Sequence, residues 1–258
     1  MGRAPWMLLF DIDGTLIRCG GAGRAALNRA FEERLGHPDA LARIRLDGST
    51  DPRIVDDGFR ALRGRPASPE ELDQLMDRYL ELLASEIEAV KERYIVLAGV
   101  RERLESLARE GEHLLGLATG NYERGARIKL EPGGLNHYFD FGGFGSDAAE
   151  RSALVARGIQ RGQAQALVRY GAPIPPERVW VFGDTEHDVT AAHKAGARAV
   201  GVRKASPDAT SVHVGLGAAT TFDLRVTFPG KEPKIVEYKG LAAGKRWTVT
   251  PDGKSESK

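Results

Sequence analysis

The chain of 258 residues is poor in sulfur and indole: one cysteine (Cys19), three methionines and three tryptophans. A lone thiol cannot close an internal disulfide, and it leaves no cysteine cluster for zinc. Net charge is also missing, since 37 Lys plus Arg face 36 Asp plus Glu. That balance supplies no basic field for nucleic acid or an anionic membrane, so the expected partner is a small molecule. Long apolar runs are absent as well. "WMLLF" (6–10) is far short of the roughly 20 residues of a membrane span, and acids follow it at once. With one cysteine and no secretory leader, the expected location is the reducing cytoplasm. Oligomeric state leaves no mark in the sequence.

What remains is a chain with 41% hydrophobic residues, enough to fill a core. Short apolar runs alternate with helical spacing. Met7–Ile12, Leu114–Ala118, Val179–Phe182 and 198–202 read as buried strands, while "VRERLESLAR" (100–109) and "VTAAHKAGA" (189–197) read as helices. This alternation predicts an α/β fold, a Rossmann-like doubly wound parallel sheet. Three of the strands carry polar residues at their C-terminal tips: Asp11 and Asp13, then Thr119 and Asn121, then Gly183 and Asp184. In a parallel sheet such tips share one edge, where open α/β proteins bind ligands.

Residues 18–91 read as a helical insertion. "GRAALNRAFEERLG" is amphipathic, and the stretch from Ser68 begins with the capping signal Ser68-Pro69-Glu70-Glu71. The glycines of "CGGAG" (19–23) suit a flexible lead into it. The core is then expected at 1–17 and 92–204, with 18–91 as a helical cap. Composition changes after that: residues 1–203 hold 25 Arg and 3 Lys, whereas 204–258 hold 2 Arg and 7 Lys. The segment 205–258 is therefore expected to be separate, with "LRVTF", "KIVEY" and "RWTVT" forming a small antiparallel meander.

Side chains two apart on a strand emerge together, so Asp11 and Asp13 share a direction and Gly14 permits a sharp exit. Two nearby carboxylates repel. A cation between them and a third acid, Asp184, would make the set tolerable. With no Cys or His cluster beside the acids, a hard oxygen-ligated ion such as Mg2+ fits better than Zn2+. A single acid of this kind would read as a solvated strand end; the set does not. His187 lies among these acids, but an adjacent surface histidine is the simpler reading.

At these residues the sequence resembles the haloacid dehalogenase-like hydrolase superfamily, in its branch with a helical cap, similar to phosphoglycolate phosphatase and β-phosphoglucomutase. "DIDGTL" (11–16) looks like its first motif, Thr119 in "LATGN" like its second, and "GDTEHD" (183–188) like its fourth. The resemblance implies that Asp11 is a nucleophile that takes up a phosphoryl group and that Asp13 is the general acid/base. It implies Mg2+ held by Asp11, Asp13 through its main-chain carbonyl, and Asp184. Asp188 would bind a metal-bound water or hold the third-motif cation. The usual Lys of that motif is not obvious; Arg151 is chosen for it, with Lys129 as the alternative. Thr119, Gly120, Asn121 and Arg151 are expected to hold the phosphoryl oxygens. The second acid, Asp13, favours phosphoryl transfer over C–halogen cleavage.

The expected activity is hydrolysis of a small phosphorylated metabolite, a phosphomonoester, through an aspartyl-phosphate. A phosphomutase or a non-catalytic phosphate-ligand binder are the alternatives. A phosphonate hydrolase needs a Schiff-base lysine, and the insertion offers only Lys91 at its far end. In the loop "LDGSTDPRI" (46–54), Ser49, Thr50 and Arg53 are candidate specificity contacts, or else a helix connection with Asp51 as N-cap before Pro52.

Overall fold

The computed structural model describes residues 4–206, 209–215, 221–228, 234–242, 247–250 and 252–257. The first apolar run becomes strand β1 (Met7–Phe10), buried along its length. A short strand β2 (Ile17–Cys19) leads into three helices, α1 (Ala22–Leu35), α2 (Asp51–Arg63) and α3 (Pro69–Ala89). Strand β3 (Tyr94–Val96) and helix α4 (Val100–Glu110) follow. Then strands and helices alternate: β4 (Leu114–Thr119), α5 (Glu123–Leu130), β5 (Phe141–Phe144), α6 (Arg151–Tyr170), β6 (Val179–Gly183), α7 (Glu186–Lys194), β7 (Arg198–Ser206) and β8 (Ala209–Gly215). Among the described residues, no helix is long and apolar enough to cross a membrane.

The sheet has the order β5-β4-β1-β6-β7-β8, with its first five strands parallel and β8 antiparallel to β7. Alternation along β1 divides the core. Met7 and Leu9 face Leu154, Val155, Ala191 and Ala192 of α6 and α7. Leu8 and Phe10 face the other way, with Leu104 of α4 and Ala126 of α5, and the Phe10 ring stacks on Phe182 at 4.9 Å. Because both faces are covered, the central strands read as continuous apolar runs. The chain moves outward from β1 to β4 and β5, then returns to β6 on the other side of β1. The tips of β4, β1 and β6 therefore meet at a topological switch point, the place where such sheets open a crevice.

The strand β5 has no sequence counterpart above, because "FGGF" lacks the apolar content of its neighbours. The glycines have a packing cause. A Cβ on Gly143 would lie 1.8 Å from the Leu154 carbonyl oxygen, and one on Gly158 would lie 2.9 Å from the Gly143 nitrogen. Helix α6 can settle on β5 only where neither carries a side chain.

In the helical segment, α1 packs on α3, and Phe31 meets Phe59 at 5.8 Å between ring centroids. The capping signal forms as read: Ser68 Oγ accepts from Glu71 N at 3.2 Å, and the Glu71 carboxylate accepts from Ser68 N at 2.8 Å. The lead into this segment is firmer than the glycines implied. Cys19 is held in an antiparallel ladder of β2 with β3, Cys19↔Tyr94 and Ile17↔Val96, so the outgoing and returning chains fasten each other. Gly20 and Gly21 then turn the chain at φ 58° and 96°.

Two compact units divide the chain, Met1–Gly215 and Leu216–Lys258. The sheet continues past the expected boundary at 204, because β7 runs to Ser206 and its edge is paired by β8. In the second unit, β9 (Thr221–Phe228) pairs with β10 (Lys234–Ala242), and β11 (Trp247–Val249) pairs with β12 (Ser255–Ser257). The expected three-strand meander is thus two ribbons. Thr250 N donates to Lys254 O at 3.1 Å and Gly253 turns at φ 88°, which returns the third run onto the polar end of the chain instead. Of the segment 205–258, positions 207–208, 216–220, 229–233, 243–246, 251 and 258 lie outside the described residues.

The β5–α6 contact yields a stability test. Gly143→Ala should lower unfolding free energy by about 3 kcal/mol or more, because a rigid backbone must yield. Gly171→Ala, at φ 72° with open space around its Cβ, should cost only about 1–2 kcal/mol. Urea unfolding of both variants checks this, and equal losses would contradict the close approach.

Candidate active site

The tip of β1 is built by its own backbone. Asp11 N donates to Phe182 O at 2.8 Å, which carries the ladder with β6 one residue further. The N–H groups of Thr15, Leu16 and Ile17 then all turn back onto Ile12 O, at 3.3, 2.9 and 3.1 Å. Gly14 turns at φ 80°, and a Cβ there would lie 2.1 Å from Asp184 Oδ2. Glycine is thus required twice, for the turn and for the approach of an acid from β6.

Asp11, Asp184 and Asp188 each place a carboxylate oxygen within 4.8 Å of the others. One guanidinium answers them. Arg151, the first residue of α6, reaches Asp11 Oδ1 at 3.2 Å and Asp188 Oδ1 at 2.5 Å through Nη2, and donates to Asp188 through Nε at 2.8 Å. The second Asp188 oxygen accepts from Thr185 N at 3.0 Å and Thr185 Oγ1 at 2.6 Å, so that acid also caps α7. Burial pushes the Asp11 carboxyl up to about 8 against the pull of Arg151, with Asp188 and Asp13 adding to the rise. Burial and then Asp188 raise Asp184 to about 6. Three acids against one cation leave negative charge to spare, and every donor is a carboxylate oxygen. That set fits a hard divalent ion.

A second cluster surrounds Asp13. Lys129 Nζ donates to Asp13 Oδ2 at 2.7 Å and to Asn121 Oδ1 at 2.6 Å, while Asn121 Nδ2 donates to Asp13 Oδ2 and to Thr119 Oγ1, both at 2.8 Å. Burial works against charge on Asp13, but Lys129 and the Asn121 amide outweigh it and hold the carboxyl below its ordinary range. Burial likewise opposes charge on Lys129, and Asp13 with Asp51 keeps its ammonium protonated. Asp13 leaves 48% of its side-chain surface open, so it remains reachable. Its carboxylate lies outside the group formed by Asp11, Asp184 and Asp188.

The loop 46–51 closes over these strand tips. Asp51 N donates to Gly120 O at 2.8 Å, Thr50 Oγ1 to Ala149 O at 2.8 Å, Tyr122 N to Asp51 Oδ2 at 2.8 Å, and Arg151 Nη1 to Gly48 O at 3.2 Å. This corrects three sequence readings. Thr50, not Asp51, is the N-cap of α2, and Asp51 is a buried first-turn residue. The Thr50 hydroxyl donates to the Ala149 carbonyl, and Thr50 lines a neighbouring recess, not the main cavity. Arg53 lines a neighbouring recess with Arg45 and Lys194, outside the main cavity, whereas Ser49 lines the cavity itself. His187 packs against Gly48, where a Cβ would lie 2.5 Å from its ring.

One cavity of about 290 Å³ joins the two clusters. Asp11, Asp13, Thr119, Gly120, Asn121, Arg151 and Asp184 all line it, and Asp188 stands behind Arg151. The sequence treated Arg151 and Lys129 as competitors, yet the structure uses both, Arg151 on Asp11 and Lys129 on Asp13. A signal was present: Lys129 is one of only three lysines before residue 204. Asp51, Tyr79, Gly23 and Arg24 also line the cavity and were not singled out as ligands to a substrate. They come from the helical segment, whose contacts no motif announces.

The description "haloacid dehalogenase-like hydrolase" belongs to the family whose profile matches residues 8–193. A phosphoglycolate phosphatase of Pseudomonas putida is 27% identical over 230 residues, covering 89% of this chain and 80% of that protein. One of Pseudomonas fluorescens is 25% identical over 231 residues, with the same coverage of 89% and 80%. Among solved structures, CbbY from Rhodobacter sphaeroides in complex with phosphate shares the fold at a TM-score of 0.58 and 17% identity, covering 78% of this chain and 87% of that one.

Asp51 offers a pH test. Burial lifts its carboxyl from 3.8 to about 6, against the pull of Lys129. The folded state then binds more protons than the unfolded chain between those values, so stability contributed by this group falls as pH rises from about 4 to 6. Asp51→Asn keeps an oxygen for Tyr122 N and does not titrate. The stability of the variant relative to the parent should therefore rise across that window, by about 1–3 kcal/mol. Chemical denaturation at pH 4, 5, 6 and 7 checks this, and a difference that stays level would contradict it.

Proposed function

The chain belongs to the haloacid dehalogenase-like hydrolase family, and on that premise we propose that it is a Mg2+-dependent phosphatase that hydrolyses a small phosphomonoester through an aspartyl-phosphate on Asp11. The observation that carries this reading is the convergence of Asp11, Asp13, Arg151 and Asp184 on one cavity. The Pseudomonas relatives named phosphoglycolate phosphatase support a small phosphorylated substrate. A lone buried Cys19 fits a cytoplasmic location.

Asp11 is the nucleophile: its carboxylate oxygen bonds to phosphorus while the ester P–O bond breaks. Asp11, the Asp13 main-chain carbonyl and Asp184 would hold Mg2+, whose positive charge would offset the repulsion between carboxylate and phosphate. Arg151, fixed by Asp188, adds a second positive group against the same oxygens, and Thr119 with the amides of Gly120 and Asn121 surrounds them. Asp13 handles the proton. It gives one to the departing alcohol, then takes one from the water that attacks phosphorus and restores the Asp11 carboxylate. Lys129 and Asn121 bind Asp13 as an acceptor, so the proton for the first step enters with the ester. Residues 18–91 act as a cap that excludes water, supported by the four hydrogen bonds that join the loop 48–51 to Gly120, Tyr122, Ala149 and Arg151.

Phosphate release from p-nitrophenyl phosphate, with and without Mg2+, tests the reading. Asp11→Asn should remove turnover while the fold is kept, and Asp13→Asn should lower it about 10²–10⁴-fold. Undiminished turnover in Asp11→Asn rejects Asp11 as nucleophile; an isomer formed without phosphate release would make the protein a mutase.

A further inference from the structure

The wall of the cavity contributed by the helical segment holds two polar atoms with nothing to bind. Tyr79 is 1% exposed and Asp51 6% exposed, and both line the cavity. Among the described residues the Tyr79 hydroxyl has no hydrogen-bond partner, and Asp51 uses only Oδ2, on Tyr122 N. Both atoms open onto the cavity and keep unused hydrogen-bonding capacity there, so a ligand in it can meet them.

Gly23 lines the same cavity and faces the Tyr79 hydroxyl and a third group, the Lys129 ammonium. A Cβ on Gly23 would lie 3.5 Å from Lys129 Nζ and 3.9 Å from Tyr79 Oη. Its backbone is ordinary helix in the first turn of α1, so no turn requires the glycine, and a Cβ there would sit in van der Waals contact with both groups and take up part of the gap. An ammonium has three donors, and Lys129 spends two, on Asp13 and Asn121. The third remains. Charge here is already balanced, with Lys129 and Arg24 against Asp13 and Asp51; Arg24 is also committed, to the carbonyls of Leu41 and Ile44.

We propose that this gap is a subsite for a hydroxyl group on the organic part of the substrate, accepting from Lys129 Nζ or Tyr79 Oη and donating to Asp51 Oδ1. A carboxylate could accept from the two donors but would face Asp51 with no proton to give, and it would upset the charge balance. A hydroxyl satisfies all three groups and brings no charge. The substrate class is then the phosphate monoester of a small hydroxylated alcohol. The gap lies beside Lys129, which touches Asp13, so a short carbon chain leaving phosphorus on the Asp13 side would reach it. This inference rests on the phosphatase reading for the position of the phosphoryl group.

The test uses the full chain with Mg2+ and three esters of two-carbon alcohols: ethyl phosphate, 2-hydroxyethyl phosphate and phosphoglycolate. We expect kcat/KM for 2-hydroxyethyl phosphate to exceed that of each of the others by at least about tenfold, because the site is left with unpaired groups by an analogue lacking the hydroxyl. Calorimetric affinities on Asp11→Asn should follow the same order. Tyr79→Phe and Gly23→Val should each shrink the ratio of hydroxyethyl to ethyl ester, a ratio that cancels general loss of activity or folded fraction. A parent ratio near one, a preference for phosphoglycolate, or a ratio unchanged in both variants overturns the subsite. If no ester and no p-nitrophenyl phosphate is hydrolysed, the phosphatase reading falls, and the calorimetric ratio alone decides the subsite.

Discussion

The architecture of this site depends on one guanidinium shared between two buried carboxylates. Asp11 at the tip of β1 and Asp188 in the first turn of α7 would repel in a dry interior, and Arg151 lies against both. Its effect is positional as much as electrostatic. By holding the tip of β1 and the first turn of α7 to the start of α6, it fixes three elements that the sheet alone would leave adjacent but unaligned. Such a pair is costly to desolvate, so retaining it makes sense where the charges themselves are needed. The excess of acids beyond what Arg151 balances is the feature that invites a divalent ion.

The second determinant is a division of labour between cations. An arginine suits Asp11 and Asp188 because its planar fork can serve two acids at once. A lysine suits Asp13 because a compact ammonium can hold the carboxylate and the Asn121 amide and still leave a donor for a ligand. The two clusters line one cavity, with an arginine against the acids of one and a lysine against the acid of the other. The helical segment adds the far wall, tied down through backbone atoms of Gly48, Gly120 and Ala149.

Much of this was legible in the sequence, for reasons that are physical. The strands β1, β4 and β6 are buried on both faces, so each is a continuous apolar run, and their polar tips stand out against it. The Ser68–Glu71 cap is local, and local hydrogen bonding follows from neighbouring residues. Elements held by distant partners were not legible. The strands β2 and β3 exist only as each other's ladder, β5 is glycine-rich because α6 lies on it, and the turn at Gly253 sends β11 onto β12. Asp51 was read as a helix cap because its neighbours suggest one. Its actual role is set by Tyr122 and Lys129, which are far away in sequence.

A double-mutant cycle on Arg151 and Asp188 tests the central interaction most directly. Unfolding free energies would be measured in urea for the parent, Arg151→Met, Asp188→Asn and the double variant, without added metal. If the guanidinium is the counter-charge that lets the acids share one interior, Arg151→Met should lose about 3–5 kcal/mol by stranding them. Removing Asp188 as well should recover part of that loss, with a coupling of about 1.5 kcal/mol or more. Losses that simply add, within about 0.5 kcal/mol, would contradict the account.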